Sequence, residues 1–276
     1  MAIDLAEHLF SRLGELRYVP TAKRIRALVA GEPVADTRAA LLVWQPKRVV
    51  PLYAVPEADL RGELVPGETA AAGRAGDGGM LGARPVLAVG DFHLHGTPGE
   101  ELVLRAGDRA IAAFRPEDPA LAGYVILDFD GLDTWLEEDE EVVAHPRDPF
   151  HRVDVRRSTR HVRIERDGVV LADTTAPRLV FETHLPTRYY LPREDVREDL
   201  LRPSDTQTAC AYKGGATYYS AVIGDRVVPD LAWVYEDPLP DAAELRGLVA
   251  FFDERVDLTV DGDRRERPVT PWSRAD

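Results

Sequence analysis

The stretch Arg163-Ile164-Glu165-Arg166-Asp167-Gly168-Val169-Val170-Leu171-Ala172-Asp173-Thr174 decides how this chain is read. Two runs of short apolar alternation flank Asp167-Gly168, a strong hairpin signal because glycine takes the positive φ of a tight turn. The same pattern stands in the first half, where Val34-Ala35-Asp36-Thr37 follows Gly31 and the turn softens to Ala30-Gly31. Outward from the hairpin the matches continue in one order. Leu179-Val180-Phe181 answers Leu42-Val43-Trp44. Tyr189, with Pro192-Arg193-Glu194-Asp195-Val196-Arg197, answers Tyr53, with Pro56-Glu57-Ala58-Asp59-Leu60-Arg61. Gly224-Asp225-Arg226 answers Gly107-Asp108-Arg109, and Glu236-Asp237-Pro238 answers Glu117-Asp118-Pro119. Related runs close the halves: Gly123-Tyr124-Val125 with Leu132-Asp133, and Gly247-Leu248-Val249 with Val256-Asp257. This order predicts an internal duplication: two mainly β domains with short helices (α+β), paired by pseudo-twofold symmetry.

A chain of 276 residues suits two such domains, each large enough to bury its own core. The predicted division is an N-terminal amphipathic helix within 1–17, a first repeat over 18–145, a linker over 146–160 and a second repeat over 161–276. The helix is read from Ile3, Leu5, Leu9, Phe10 and Leu13 on one face, which is expected to dock on the first domain. Pro192 to Leu201 reads as a second short helix, with proline at its start and acids in the first turn. Gly67 to Gly79 has no counterpart in the second half and reads as a mobile loop.

One cysteine, Cys210, excludes an intrachain disulfide and a zinc site built from several thiolates. No signal peptide or membrane-spanning run is evident, so a cytoplasmic protein is expected. A net charge of -14 argues against nucleic acid and anionic membranes as partners. The arginines from Arg152 to Arg163 are read as a solvated connector. The acidic run from Asp128 to Glu141 is likewise read as a solvated face. No phosphate-binding glycine loop, nucleophile elbow or His-Glu-x-x-His motif occurs, which weakens common hydrolase and nucleotide-triphosphate readings.

Chemistry concentrates in Cys210-Ala211-Tyr212-Lys213-Gly214-Gly215. Strand alternation puts Cys210 and Tyr212 on one face and Ala211 and Lys213 on the other. Only three lysines occur in the chain, so a lysine retained beside tyrosines and a thiol draws notice. Such a lysine binds an anion as a point charge, or acts as a base when burial depresses its pKa. The alternative is a tyrosine-rich core strand with one surface lysine.

Tyr189-Tyr190-Leu191-Pro192-Arg193-Glu194-Asp195-Val196, Ser204-Asp205-Thr206, Cys210-Ala211-Tyr212-Lys213-Gly214 and Ala232-Trp233 with Tyr235-Glu236-Asp237-Pro238 resemble the bacterial "domain of unknown function 427" family. The resemblance covers about 160 to 258, and the first half resembles the same family more weakly. It implies a tandem of two β-tent-type domains. Zinc-binding relatives of that fold use paired cysteines, which are missing here, so no zinc is carried over. No established activity comes with the family. The match does raise the weight of Cys210, Tyr212, Lys213 and Gly214 as a site, with Tyr189, Asp195 and Trp233 matching too.

In the first half, Phe92-His93-Leu94-His95-Gly96 falls over Cys210 to Gly214. One reading is a site lost to a structural partner. The other is a metal site, because His93 and His95 alternate onto one strand face, and with Glu100 they match a cupin-like spacing. The second repeat is expected to bind a small polar or anionic molecule through Tyr189, Tyr190, Asp195, Lys213, Gly214 and Trp233. Lys213, Cys210 and Tyr212 are the candidates if catalysis follows. A non-catalytic protein-interaction module and the His93–His95 metal site are the alternatives. No cofactor is predicted, and the sequence does not choose between binding and catalysis or set the oligomeric state.

Overall fold

The structure is a computed structural model that describes residues 2–67, 79–87 and 92–273. Most of the glycine-rich stretch 67–79 lies outside the described residues. The chain divides into two compact units, Met1–Gly79 with Pro85–Asp148, and Met80–Arg84 with Pro149–Asp276. Both are mainly β with short helices, as the alternation in the sequence predicts.

In the first unit a seven-stranded antiparallel sheet runs Arg17–Pro20, Leu41–Trp44, Leu52–Pro56, Tyr124–Leu127, Arg109–Pro116, Gly99–Ala106 and Glu63–Pro66. A four-stranded sheet runs Glu140–Glu141, Thr134–Glu137, Ile25–Val29 and Glu32–Thr37. The second unit repeats both orders strand for strand. Its large sheet runs Val153–Arg157, Arg178–Glu182, Arg188–Leu191, Val249–Phe251, Arg226–Val234, Gly214–Ile223 and Leu201–Cys210. Its small sheet runs Asp263–Arg264, Asp257–Val260, Val162–Arg166 and Val169–Thr174.

The likeness extends to irregularities. A bulge falls between Ala27 and Leu28 in one hairpin and between Ile164 and Glu165 in the other. Both hairpins close through two residues of positive φ, Ala30 and Gly31 in the first and Asp167 and Gly168 in the second. That turn matches the right-handed twist of its strands. The Arg61 N–H donates to the Val34 carbonyl at 2.8 Å, and the Arg197 N–H to the Leu171 carbonyl at the same 2.8 Å.

Each unit has a core between its two sheets. Ile25, Ala27, Leu42, Tyr53, Leu104 and Trp135 fill the first; Ile164, Leu171, Tyr189, Leu191, Phe251 and Leu258 fill the second. The outer face of each large sheet is also apolar and covered, by a cluster around Val43, Phe114 and Ile126 in one unit and around Val180, Trp233 and Ala250 in the other. This explains why Leu41–Trp44, Arg188–Leu191 and Val249–Phe251 are buried at every residue. A strand covered on both faces does not alternate.

Three local expectations are corrected. The proposed linker over 146–160 contains the edge strand Val153–Arg157, so part of the arginine-rich stretch is ladder rather than connector. Val153 and Val155 pair with Glu182 and Val180, and this cross-strand pairing is invisible to composition. The helix expected from Pro192 to Leu201 is two single 3-10 turns, Arg193–Asp195 and Glu198–Leu200. A bridge between Ala172 and Val196 extends the backbone between them. The N-terminal helix spans Leu5–Ser11, and its Ile3–Leu5–Leu9 face is exposed. Anchoring comes instead from buried Leu13 in the next turn, whose carbonyl accepts from the Lys47 N–H at 2.7 Å. No helix among the described residues is long and apolar enough to cross a membrane.

The paired hairpins yield a prediction. Gly168→Ala should destabilise its unit by about 1–2 kcal/mol, because a left-handed backbone crowds Cβ. Ala30→Asn should stabilise the first hairpin by roughly 0.5 kcal/mol, since asparagine tolerates that conformation. Urea unfolding of both variants checks the signs, and opposite signs would contradict the turn assignment.

Candidate functional site

The second unit gathers polar groups on the outer face of its large sheet. Residues 211–213 are the turn of the long hairpin whose strands end at Cys210 and begin at Gly214. The expected strand alternation through Tyr212 and Lys213 therefore does not hold. Gly214 closes the turn with φ of 91°, and its α-carbon faces the Asp237 carbonyl and Leu239. The Leu239 N–H donates to the Lys213 carbonyl at 3.1 Å, so the turn is fixed from outside as well.

The turn folds the Lys213 side chain inward. Its ammonium donates to Glu182 Oε2, and both side chains are buried. His151 Nε2 lies 3.2 Å from the other carboxylate oxygen, and the His151 ring stacks on Tyr212 with centroids 4.3 Å apart. Burial alone raises the pKa of Glu182. The His151 hydrogen bond and the Lys213 charge outweigh it and bring the carboxyl down to about 2. Lys213 is thus half of a closed ion pair.

Neighbouring strands extend the cluster. Tyr190 faces Ala250, Ala250 faces Trp233, and Trp233 faces Tyr218, one row across four strands. The Trp233 indole N–H donates to the Tyr190 hydroxyl at 3.1 Å. Tyr218 shares a hydrogen bond with the Thr208 hydroxyl at 3.0 Å. Tyr235 is buried at 6% exposure, and burial raises its pKa and that of Tyr190, keeping both phenols protonated. Tyr235 also feels Tyr190, Cys210, Glu182 and Tyr218.

Of the residues singled out from sequence, Cys210, Tyr212, Lys213, Gly214, Tyr190 and Trp233 come together. Two do not. Tyr189 points to the opposite face of its strand and sits in the core between the sheets. Asp195 accepts a hydrogen bond from the buried Thr174 hydroxyl, away from this cluster. Sequence reading missed Glu182 and His151, and took Tyr235 only as part of a family motif, not as a site residue. Glu182 left a trace, since it falls in phase with Val180 and the strand period turns it to the buried face.

The first unit places different groups in the same row. There Ala54 faces Ile126, Ile126 faces Phe114, and Phe114 faces Glu101. Gln45 follows Trp44 as Glu182 follows Phe181. Its amide nitrogen is 2.8 Å from His95 Nδ1, and its carbonyl accepts from the Gly96 N–H at 2.8 Å. The buried His95 ring stacks on Phe114 at 3.7 Å. Burial first, then the charges of Arg48 and His93, lower its pKa to about 3. A neutral amide–imidazole pair thus stands where the second unit has carboxylate and ammonium.

The metal alternative is not supported. Residues 92–96 form a turn rather than a strand, His93 is exposed, and Glu100 is paired to Arg115 at 2.5 Å. Among the described residues, no three His, Cys, Asp or Glu side chains gather as a metal set.

Residues 154–262 match the model of a family described as a domain of unknown function, DUF427. The second unit is a DUF427 domain. The match spans the strands that carry Glu182, Tyr190, the Cys210–Lys213 turn and Trp233, and begins just after His151. Comparison with curated proteins finds no match.

The ion pair predicts two effects. Lys213→Met leaves the buried Glu182 charge uncompensated and should cost about 3–5 kcal/mol, while adding Glu182→Leu should recover most of that loss. Because the folded-state carboxyl ionises below its ordinary 4.5, its stabilisation is complete above that pH and is lost as pH falls toward about 2. Glu182→Gln should flatten the acid limb of the stability profile between those values. Equal acid sensitivity in this variant and wild type would contradict the assignment.

Proposed function

We propose that the chain is an internal duplication whose second, DUF427 unit binds a small polar molecule beside the Cys210–Lys213 turn. The observation that carries this reading is the contrast between equivalent rows. The second unit holds a charged Glu182–Lys213 pair, with His151, and buried phenols at Tyr190 and Tyr235. The first unit has Gln45, His95 and Ala54 at the matched positions. Charged and hydroxyl groups in a covered face cost stability relative to apolar packing. A unit that keeps a carboxylate, an ammonium and a phenol at the positions where its twin has Gln45, His95 and Ala54 is built for more than packing, although the twin also buries the Arg48 guanidinium near its turn.

In this reading Glu182 and Lys213 hold the turn and set the local field. Tyr190, Tyr235 and Cys210 offer polar contacts to the ligand, and Tyr212 and Trp233 supply ring surface. The shared strand orders, the matched bulges and the matched turn conformations support the duplication.

The test is thermal denaturation with a panel of small amides, organic acids, sugars and nucleosides. A ligand at a hundredfold its Kd should stabilise the protein by about 2.7 kcal/mol. Cys210→Phe, which places the first unit's Phe92 bulk at the turn, should cancel that shift while leaving the ligand-free melting temperature within a few degrees. A panel with no stabilising member, or a shift that survives in Cys210→Phe, would sink the reading.

A further inference from the structure

In the first unit the His95 imidazole is fixed in place yet not fully bonded. The Gly96 N–H can only donate, so the Gln45 carbonyl must face it, and the Gln45 amide nitrogen is left to donate to His95 Nδ1 at 2.8 Å. Nδ1 therefore carries a lone pair, and the proton of the neutral ring sits on Nε2. Phe114 stacks on the imidazole with centroids 3.7 Å apart, and Phe92 meets it edge-on at 5.1 Å, so the N–H has a set direction. The side chain is 5% exposed, and among the described residues Nε2 has no hydrogen-bond partner. Native interiors rarely leave such a donor unused. Thr97 Oγ1, two residues on, is also buried without a partner among the described residues.

Glu101 stands beside this donor. It faces Phe114 across the ladder, where the second unit has Tyr218 facing Trp233. Its Oε1 lies 3.6 Å from His95 Nε2, too far for a hydrogen bond, and its side chain is 23% exposed, so the pair can be reached from solvent. The spacing selects what fills the gap. A single hydroxyl or water oxygen bonded to both groups would need its two bonds at about 80°, pinched well below the tetrahedral angle. An amide presents two atoms instead, its oxygen to the imidazole N–H and its cis N–H to the carboxylate. Those atoms sit about 2.3 Å apart in any amide. Two bonds of ordinary length then splay by only roughly 15° each to meet partners 3.6 Å apart. A carboxylate would set its second oxygen against Glu101, and an ester or ketone has no N–H to donate.

We propose that the first unit has a binding site of its own, in which His95 Nε2–H and the Glu101 carboxylate clasp the cis O=C–N–H edge of a primary amide or lactam. Gln45 sets the tautomer, and Phe92 and Phe114 hold the ring. The site is independent of the one argued for the second unit, since neither Glu182 nor Lys213 takes part. It also gives the His93-Leu94-His95 segment a role that needs no metal.

The experiment is isothermal titration of the full chain with pyrrolidone, which has the amide edge, and with N-methylpyrrolidone, which lacks the N–H. Wild type should bind pyrrolidone about tenfold more tightly than the N-methyl compound, the worth of one charge-assisted hydrogen bond. Glu101→Leu should fold with the melting temperature of wild type to within a few degrees and lose a similar factor for pyrrolidone. Cys210→Phe should bind pyrrolidone as wild type does, which separates this site from the one in the second unit. An NMR spectrum of the histidine nitrogens in the free protein should place the His95 proton on Nε2. A proton on Nδ1, equal affinity for the two lactams, or unchanged pyrrolidone affinity in Glu101→Leu would overturn the proposal. Binding abolished by Cys210→Phe would assign the amide to the second unit and overturn it too. So would pyrrolidone that does not bind at all, since water alone then occupies the gap.

Discussion

Burial of the large sheet on both faces is the constraint on which the rest of each unit depends. A sheet packed against a second sheet on one side only can leave its other face to water. Here the outer face is covered too, so its central strands must be apolar throughout, and any polar group on that face must find a partner inside the protein. In the outer cluster around Val180, Tyr190, Trp233 and Ala250 the Trp233 indole N–H meets this demand by donating to the Tyr190 hydroxyl. The corresponding cluster around Val43, Ala54, Phe114 and Ile126 is apolar too, but the Nε2 of His95, whose ring stacks on Phe114, is buried without a hydrogen bond among the described residues.

The two units satisfy the same constraint with different chemistry. In the first, Gln45 bonds His95 Nδ1 and the Gly96 N–H, the His95 ring is held neutral, and its Nε2 is buried without a hydrogen bond among the described residues. In the second, Glu182 and Lys213 compensate one another's charge, and His151 completes the carboxylate. Both solutions anchor the same turn to the same strand end. Only the charged one comes with protonated phenols within its field, and that asymmetry is the ground for the binding site proposed in the second unit.

Much of the architecture was legible in the sequence. The Asp167-Gly168 hairpin, its softer partner at Ala30-Gly31, and the ordered matches around Leu42 and Leu179 pointed to two mainly β units, and the strand orders agree with each other in every position. The Cys210–Gly214 segment was also legible as a centre of interest. Its conformation was not: a glycine pair after alternating residues reads equally as strand or turn, and the ladder between Cys210 and Gly214 decides for the turn. The short helix expected after Pro192 failed for a related reason. Local capping signals favour a first turn, but the Ala172–Val196 bridge rewards extended backbone in its middle.

What the sequence determined by itself was periodicity: where strands lie, where they turn, and which residues share a strand face. Those follow from local geometry, a two-residue repeat and the φ preference of glycine. What only the tertiary structure decided was partnership. Glu182 and Lys213 are separated by a hairpin and two strands, and Tyr189 and Tyr190 are adjacent yet serve opposite faces. A charge in a sequence has no sign of its burial, and its role depends on which group folding brings against it. For Lys213 that group is a carboxylate, which turns a candidate anion clamp into half of a buried ion pair.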